Sequence, residues 1–186
     1  MSEPGPRLTT ARLVLAPARA ADAAAIADYQ LRNADFHAPW NPPRPDGFFT
    51  TPFWEERIGY FEAEERLGMS LRFLLRAGDR VVGVANFTSV IRGCSLNCWL
   101  GYGLDQACEG QGFMYEALSA AIPHVFGSLG LHLVQAGHVP ENLRSSALLR
   151  RLGFSPFGYA RDYVYIAGAW RDHVLQGLIN PSPLTP

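Results

Sequence analysis

The amino-acid sequence predicts an α/β fold of the mixed α+β kind, a central mixed sheet of about seven strands with helices on both faces. Three observations predict it. Apolar runs between residues 71 and 104 are separated by the turn signals Ala77-Gly78-Asp79 and Arg92-Gly93, which makes an antiparallel meander of three strands. Cys94 to Leu104, a helical pattern and Leu131 to Val139 then follow as a strand-helix-strand unit. A last stretch, Phe154 to Leu178, is split near Ala167-Gly168 into two more strands. With 186 residues, 48% hydrophobic and 18% charged, the chain is expected to be a single domain over 1–186 with its own core.

Taken in order, Arg12 to Ala16 carries Leu13 and Leu15 on one side and reads as a first strand closed by Pro17. Ala20 to Asn33 is alanine-rich with Asp22 near its start, the composition of a helix, with Ile26, Tyr29 and either Gln30 or Leu31 on its buried side. Phe36 to Phe53 interleaves five prolines with Trp40, Phe48 and Phe49. Prolines remove backbone donors and aromatics supply rigid apolar area, so this is an ordered loop that packs on the core or lines a binding mouth. Phe53 to Leu67 resumes a helix. The meander strands are Leu71 to Arg76, Arg80 to Ile91 and Cys94 to Leu104. Phe113 to Ser128 repeats apolar pairs every four residues, which makes a broad helical face suited to a sheet, with a kink or loosening expected at Pro123. Asn142 to Leu152 is a helix ended by Gly153, and prolines close the chain in a tail expected to be loose from about 180.

The formal net charge of -1 leaves no electrostatic footprint for nucleic acid, so no direct nucleic-acid partner is expected. Cys94, Cys98 and Cys108 form an odd set without a CxxC pair, so neither a metal site nor a disulfide framework is expected. No membrane-length apolar run and no signal-peptide pattern occur, which points to a reduced, cytoplasmic protein with no membrane contact.

The stretch Glu109-Gly110-Gln111-Gly112-Phe113-Met114 sits where a strand gives way to a helix. Two glycines one residue apart leave backbone N–H groups uncovered at a helix start, where an anion can approach. The spacing is shorter than the dinucleotide fingerprint and lacks the Lys-Ser/Thr of a P-loop. On these residues alone, a plain turn and a phosphate seat both stand.

Several further stretches carry a family resemblance. They are Leu8-Thr9-Thr10-Ala11-Arg12-Leu13-Val14-Leu15, Val82-Gly83-Val84-Ala85-Asn86-Phe87 and Leu100-Gly101-Tyr102, then the glycine turn followed by Tyr115-Glu116-Ala117-Leu118. Asn142-x-x-Ser145, Leu148 to Phe154 and Trp170 to Leu175 complete the set. Together they resemble the GNAT-fold N-acetyltransferases, and within them the RimJ/RimL-type ribosomal-protein alanine N-acetyltransferases, nearest RimJ. The resemblance implies the GNAT fold with a mostly antiparallel, twisted sheet, acetyl-CoA (coenzyme A) as cofactor, and the N-terminal α-amine of a protein as acceptor. The partner implied is an N-terminal alanine of a ribosomal protein, with the enzyme a monomer or homodimer. Two alternatives keep parts of this: an N-acetyltransferase for a small amine such as a polyamine, aminoglycoside or amino acid, and a non-catalytic module that binds coenzyme A or assists ribosome assembly.

By the same resemblance Gly110, Gln111, Gly112, Phe113 and Met114 hold the cofactor's pyrophosphate through backbone N–H groups. Tyr102, Gly103 and Leu104 give the strand backbone along its pantetheine arm, and Leu131 to Val139 should diverge from that strand to leave a gap. Glu109 is an unfavourable neighbour for a pyrophosphate unless it turns away or pairs with a cation. Many relatives place an acidic tyrosine where this chain has Leu149, so the hydroxyl for the departing thiolate falls to Ser145, with Asn142 holding the cofactor's amides. Read by themselves, Asn142 is a helix cap and Ser145 a first-turn hydroxyl. No general base is assigned: His138, Asp162 and Glu116 are candidates that fit structural or solvated roles at least as well. Arg150 and Arg151 suit either the cofactor's 3'-phosphate or a solvated helix surface. Asp172 and His173 are neighbours on a strand, point to opposite faces and are not expected to share a ligand.

Overall fold

The computed structural model describes residues 5–182; the extreme ends used above in reading the termini lie outside the described residues. One eight-stranded sheet organises the described residues, in the order β1-β2-β3-β4-β5-β6-β8-β7. Its strands are β1 (Leu8–Thr9), β2 (Val14–Pro17), β3 (Leu71–Ala77), β4 (Arg80–Ile91), β5 (Asn97–Leu104), β6 (Leu133–His138), β7 (Ser155–Ile166) and β8 (Ala169–Ile179). All neighbours are antiparallel except β5 and β6. The strand beyond the seven expected is β1, two residues long and without a periodicity that sequence could show. Pro17 lies inside β2 instead of closing it. It pairs with Phe73 on one side, while β1 reaches only Leu15 and Val14 on the other, so the missing N–H leaves no ladder bond unmade there.

Among the described residues five α-helices flank the sheet: α1 (Ala23–Arg32), α2 (Ala34–His37), α3 (Thr51–Arg66), α4 (Phe113–Leu129) and α5 (Leu143–Arg151). Strand alternation divides the core between the two faces. Phe73, Leu75, Val82, Phe87 and Val134 point to one face and pack with Leu118, Val125 and Leu149 of α4 and α5. Leu74 and Val81 point to the other and pack with Ile26 and Tyr29 of α1 and Trp54 and Ile58 of α3. Gln30, not Leu31, completes the buried side of α1. α4 runs unbroken past Pro123, because the apolar face on both sides of it is buried against the sheet.

The segment expected as an irregular loop from Phe36 is partly helical, with α2 and a 3-10 turn at Ala38–Trp40, and α3 begins at Thr51 with Pro52 in its first turn. Phe48, Phe49, Phe53 and Trp54 form a cluster of edge-to-face and tilted ring pairs, and the Trp54 indole N–H donates to the Phe48 carbonyl at 2.8 Å. Phe48 and Trp54 are buried and Phe53 packs against them, so these three serve the core, whereas Phe49 stays exposed. Asn180 is buried, its side chain donating to the Leu131 carbonyl at 3.0 Å. Residues 183–186 of the tail lie outside the described residues.

One irregularity positions the site. The parallel pairing of β5 with β6 runs from Asn97 opposite Leu133 to Trp99 opposite Gln135 and stops, although β5 continues to Leu104 and β6 to His138. Beyond Trp99 the two strands part, as the family resemblance implies.

Candidate active site

The glycine turn lies at the far end of β5, past a 3-10 turn at Gln106–Cys108. Gly110 has φ of +70° and Gly112 of +77°, the left-handed region where a side chain is strained. Gly112 is the residue just before α4 and carries no side chain to cap it. Among the described residues, no backbone N–H from Gly110 through Tyr115 donates to a protein acceptor, the first to do so being Glu116 to the Gly112 carbonyl at 3.0 Å. These are the orphan donors of a helix start, all on one turn and at its positive end. They fit a pyrophosphate. A groove of about 690 Å³ opens beside them, lined among others by Arg12, Gln111, Tyr115 and Arg151.

The groove's wall is tied in place by Glu116. Its carboxylate accepts from the Thr10 hydroxyl at 2.6 Å, the Arg12 N–H at 2.8 Å and Arg12 Nε at 2.6 Å. Burial works against the charge, but those hydrogen bonds outweigh it and hold the carboxyl below its ordinary value. A carboxylate so engaged is a clamp between the β1–β2 turn and α4, not a base. Arg12 also donates to the Gln111 carbonyl at 2.9 Å and lies over the Phe113 ring. Of the two arginines at the end of α5, Arg151 lines the groove and stacks on Tyr115 at 3.8 Å, with no carboxylate partner among the described residues; Arg150 is exposed and does not line it.

Glu109 is paired with a cation. Arg144 Nη1 lies 2.6 Å from both its oxygens. The same guanidinium lies 5.1 Å from the Phe36 ring centroid and 5.9 Å from that of Trp40, so Arg144 links the glycine turn to the aromatic segment after α1. That segment is also fastened to the end of β5. His37 Nε2 donates to the Leu104 carbonyl at 2.9 Å, and Asn33 Oδ1 accepts from the Gln106 N–H at 2.9 Å. Buried Asp105 takes Arg32 at 2.8 Å and Arg80 at 3.0 Å. Burial holds the His37 imidazole below its ordinary value, so near neutral pH it is uncharged with its proton on Nε2. Sequence reasoning missed these polar anchors, because nothing in their spacing pairs residues 25 to 73 positions apart.

Across the gap, Asn142 and Ser145 begin α5. Asn142 Oδ1 accepts from the Ser145 N–H at 3.0 Å, which is the helix-cap geometry; its amide NH₂ has no protein acceptor among the described residues. Ser145 Oγ lies 2.6 Å from the Tyr102 hydroxyl on the parted length of β5. That contact was not foreseen, since Tyr102 entered only for its backbone. Tyr102, Gly103 and Leu104 thus form the β5 side of the gap, and Ser145 and Asn142 the α5 side. Leu149 is fully buried in the core and carries no group for such work.

The remaining candidates stand apart from this pair. His138 is buried with both ring nitrogens used: Nδ1 donates to the Val139 carbonyl at 2.9 Å, and Nε2 accepts from Gln176 at 2.9 Å. Asp162 is exposed in a bulge of edge strand β7 with φ of +47°, its N–H donating to Asp172. Asp172 also accepts from the Tyr159 hydroxyl at 2.7 Å, while His173 is buried against Tyr163. Among the described residues no three His, Cys, Asp or Glu side chains are placed to hold a metal ion, and no helix is long and apolar enough to cross a membrane.

Comparison with known proteins adds four findings. The acetyltransferase (GNAT) domain family matches residues 12–155. The chain is 42% identical over 180 residues to the ribosomal protein uS5-alanine N-acetyltransferase of Escherichia coli, spanning 96% of this chain and 93% of the relative. Among solved structures, it is similar to a ribosomal-protein-S5-alanine acetyltransferase from Vibrio fischeri with TM-score 0.93 and 29% identity, covering 97% of this chain and 100% of that one. It is also similar to RimJ of Mycobacterium smegmatis in complex with CoA-disulfide, with TM-score 0.86 and 30% identity, covering 90% and 81%.

Proposed function

We infer acceptor and mechanism from one premise: this chain belongs to the GNAT acetyltransferase family. It is an acetyl-CoA-dependent N-acetyltransferase. The acceptor is the α-amine of a protein N-terminus, an N-terminal alanine of a ribosomal protein, and the whole chain acts as one domain in the cytoplasm. The observation that carries this reading is the 42% identity to a ribosomal-protein alanine N-acetyltransferase across nearly the full length of both chains.

Bound acetyl-CoA supplies an acetyl group activated as a thioester, open to direct attack by an amine. The chain's part is to hold, orient and stabilise. The N–H groups of Gly110 to Met114 seat the pyrophosphate, and the Glu109–Arg144 pair cancels the charge that would oppose it. The backbone of Tyr102 to Leu104 guides the arm into the gap, where the free amide of Asn142 meets it. Ser145 donates its O–H to the departing sulfur. No base is needed in contact with the amine: an α-amine has a reference pKa of about 8 against about 10.4 for lysine, so water can take its proton near neutral pH.

The test is a panel of acceptors with purified protein and acetyl-CoA, read as release of free thiol. Peptides beginning with Ala are expected to be acetylated, and polyamines and aminoglycosides not. Turnover confined to small amines would overturn the acceptor, and silence across the whole panel would overturn the enzyme. Ser145→Ala is expected to lower kcat by about tenfold or more while leaving the Kd for coenzyme A unchanged. Equal losses in both would remove Ser145 from its role.

A further inference from the structure

We propose that Tyr102 is a positioning residue for Ser145: its phenol donates to Ser145 Oγ and so turns the serine's own O–H toward the sulfur that leaves. This rests on the role given to Ser145 above. The geometry places two hydroxyls 2.6 Å apart across the opening between β5 and α5, one on each wall. Ser145 sits in the first turn of α5, with its N–H fixed on Asn142. A serine there commonly turns its hydroxyl back onto the local backbone. Here, among the described residues, Tyr102 is the one partner of Ser145 Oγ.

Two hydroxyls in contact share one proton between them, and the direction matters. Were Ser145 the donor, its proton would be spent on Tyr102 and unavailable to sulfur. A phenol is by far the more acidic of the two and an aliphatic alcohol oxygen the better acceptor, so the bond runs from Tyr102 to Ser145. A donor that is itself accepting a hydrogen bond is polarised and becomes the stronger donor. Burial pushes the Tyr102 phenol up to about 12, against the pull of Ser145, so it keeps its proton across the working range of pH. The packing of the Tyr102 ring against the α4 and α5 core sets the hydroxyl's position.

The proposal moves no net proton through the pair. The transfer forms a C–N bond and breaks the C–S bond, the bonding electrons go to sulfur, the amine's surplus proton goes to water, and sulfur regains one from water. Ser145 holds the negative sulfur during that interval, and Tyr102 holds Ser145.

Tyr102→Phe keeps the ring and removes the hydroxyl. Three measurements test it: kcat, the Kd for coenzyme A by calorimetry, and the pH titration of the bound coenzyme A thiol followed by thiolate absorbance. The last needs no turnover. We expect kcat to fall about tenfold, Kd to stay within about twofold, and the thiol midpoint to rise by about one pH unit, as for loss of one hydrogen bond to an anion. Ser145→Ala should shift the thiol midpoint in the same direction, and the double variant should go no further than Ser145→Ala alone. An unchanged kcat and thiol midpoint in Tyr102→Phe would overturn the proposal, as would losses that simply multiply in the double variant. Failure of the acceptor reading would look different: the thiol midpoint would shift as expected while no peptide was acetylated.

Discussion

Replacing Glu109 by Gln should tighten the binding of coenzyme A, although it removes a salt bridge. Arg144 Nη1 touches both carboxylate oxygens at 2.6 Å, but the two side chains are 35% and 54% exposed, so water screens the pair and its value to folding is below about 1 kcal/mol. The consequence for an anion is separate. Glu109 immediately precedes Gly110, where the uncovered N–H groups begin, and with its charge present Arg144 offers the site no net attraction. At separations of a residue or two, one exposed unit charge acts on an anion by about 0.5–1 kcal/mol. Glu109→Gln should therefore lower the Kd by about two- to fivefold, since about 1.4 kcal/mol is tenfold. Arg144→Gln should raise it by a similar factor or more, because it strands the carboxylate and also releases Phe36 and Trp40. Calorimetric titration at low salt and at about 1 M salt provides the assay, and the effect of Glu109→Gln should fade in the latter, where the screening length is about 3 Å. Weaker or unchanged binding by Glu109→Gln at low salt would refute the assignment of this turn as the anion seat with Arg144 as its neutralised cation.

Three other outcomes are expected. Gly112→Ala meets only Arg12 Nη2 at an ordinary 3.7 Å, so its cost is the left-handed backbone, about 1 kcal/mol, read as a Tm lower by about 2–4 °C and a larger proportional loss of coenzyme A affinity. Leu149→Ala empties a fully buried site beneath α5 and should cost about 2–5 kcal/mol in urea unfolding. Asp105→Asn tests the anchor at the end of β5. Burial opposes the Asp105 charge, but Arg32, the Ala107 N–H and Arg80 outweigh it and hold the carboxyl below its ordinary value. A depressed folded-state value means that the charge stabilises the fold above the ordinary carboxylate range and that this is lost as pH falls through the depressed value. The variant should thus be less stable by about 2–3 kcal/mol at neutral pH, and the gap to the native protein should close in acid; a gap constant down to the lowest pH at which both fold would refute the ion pairing.

Much of the fold was legible because its signals are local. The meander announces itself through Gly78 and Gly93, whose φ values of +59° and +76° need no more than the chain itself to be anticipated. The β7–β8 hairpin does so through Ala167-Gly168, and α4 through an apolar face that repeats at the helical period. β1 was missed because two residues carry no period, and the Phe36 to Phe53 stretch was read as a loop because prolines mask the short helical turns around them. In the site, the glycine turn and the Asn142-x-x-Ser145 spacing were visible, and the two residues of that spacing do meet through the Ser145 N–H. Their purpose was not visible, since a cap and a cofactor contact use the same residue types.

Features that depend on near neighbours were readable from the residues alone: the order of the elements, the faces they bury, the left-handed glycines that bare the amides ahead of α4, and the family to which the chain belongs. Features that depend on distant partners came only with the folded chain. It set Arg144 against Glu109, His37 on the Leu104 carbonyl, and the Tyr102 hydroxyl on Ser145, contacts that span 35, 67 and 43 positions. It also withdrew His138 and Glu116 as bases by filling their hydrogen bonds. The physical reason is one of range. Backbone conformation and amphipathic period are properties of a few consecutive residues, whereas the direction in which a hydroxyl or guanidinium points is settled by whichever group packing brings beside it.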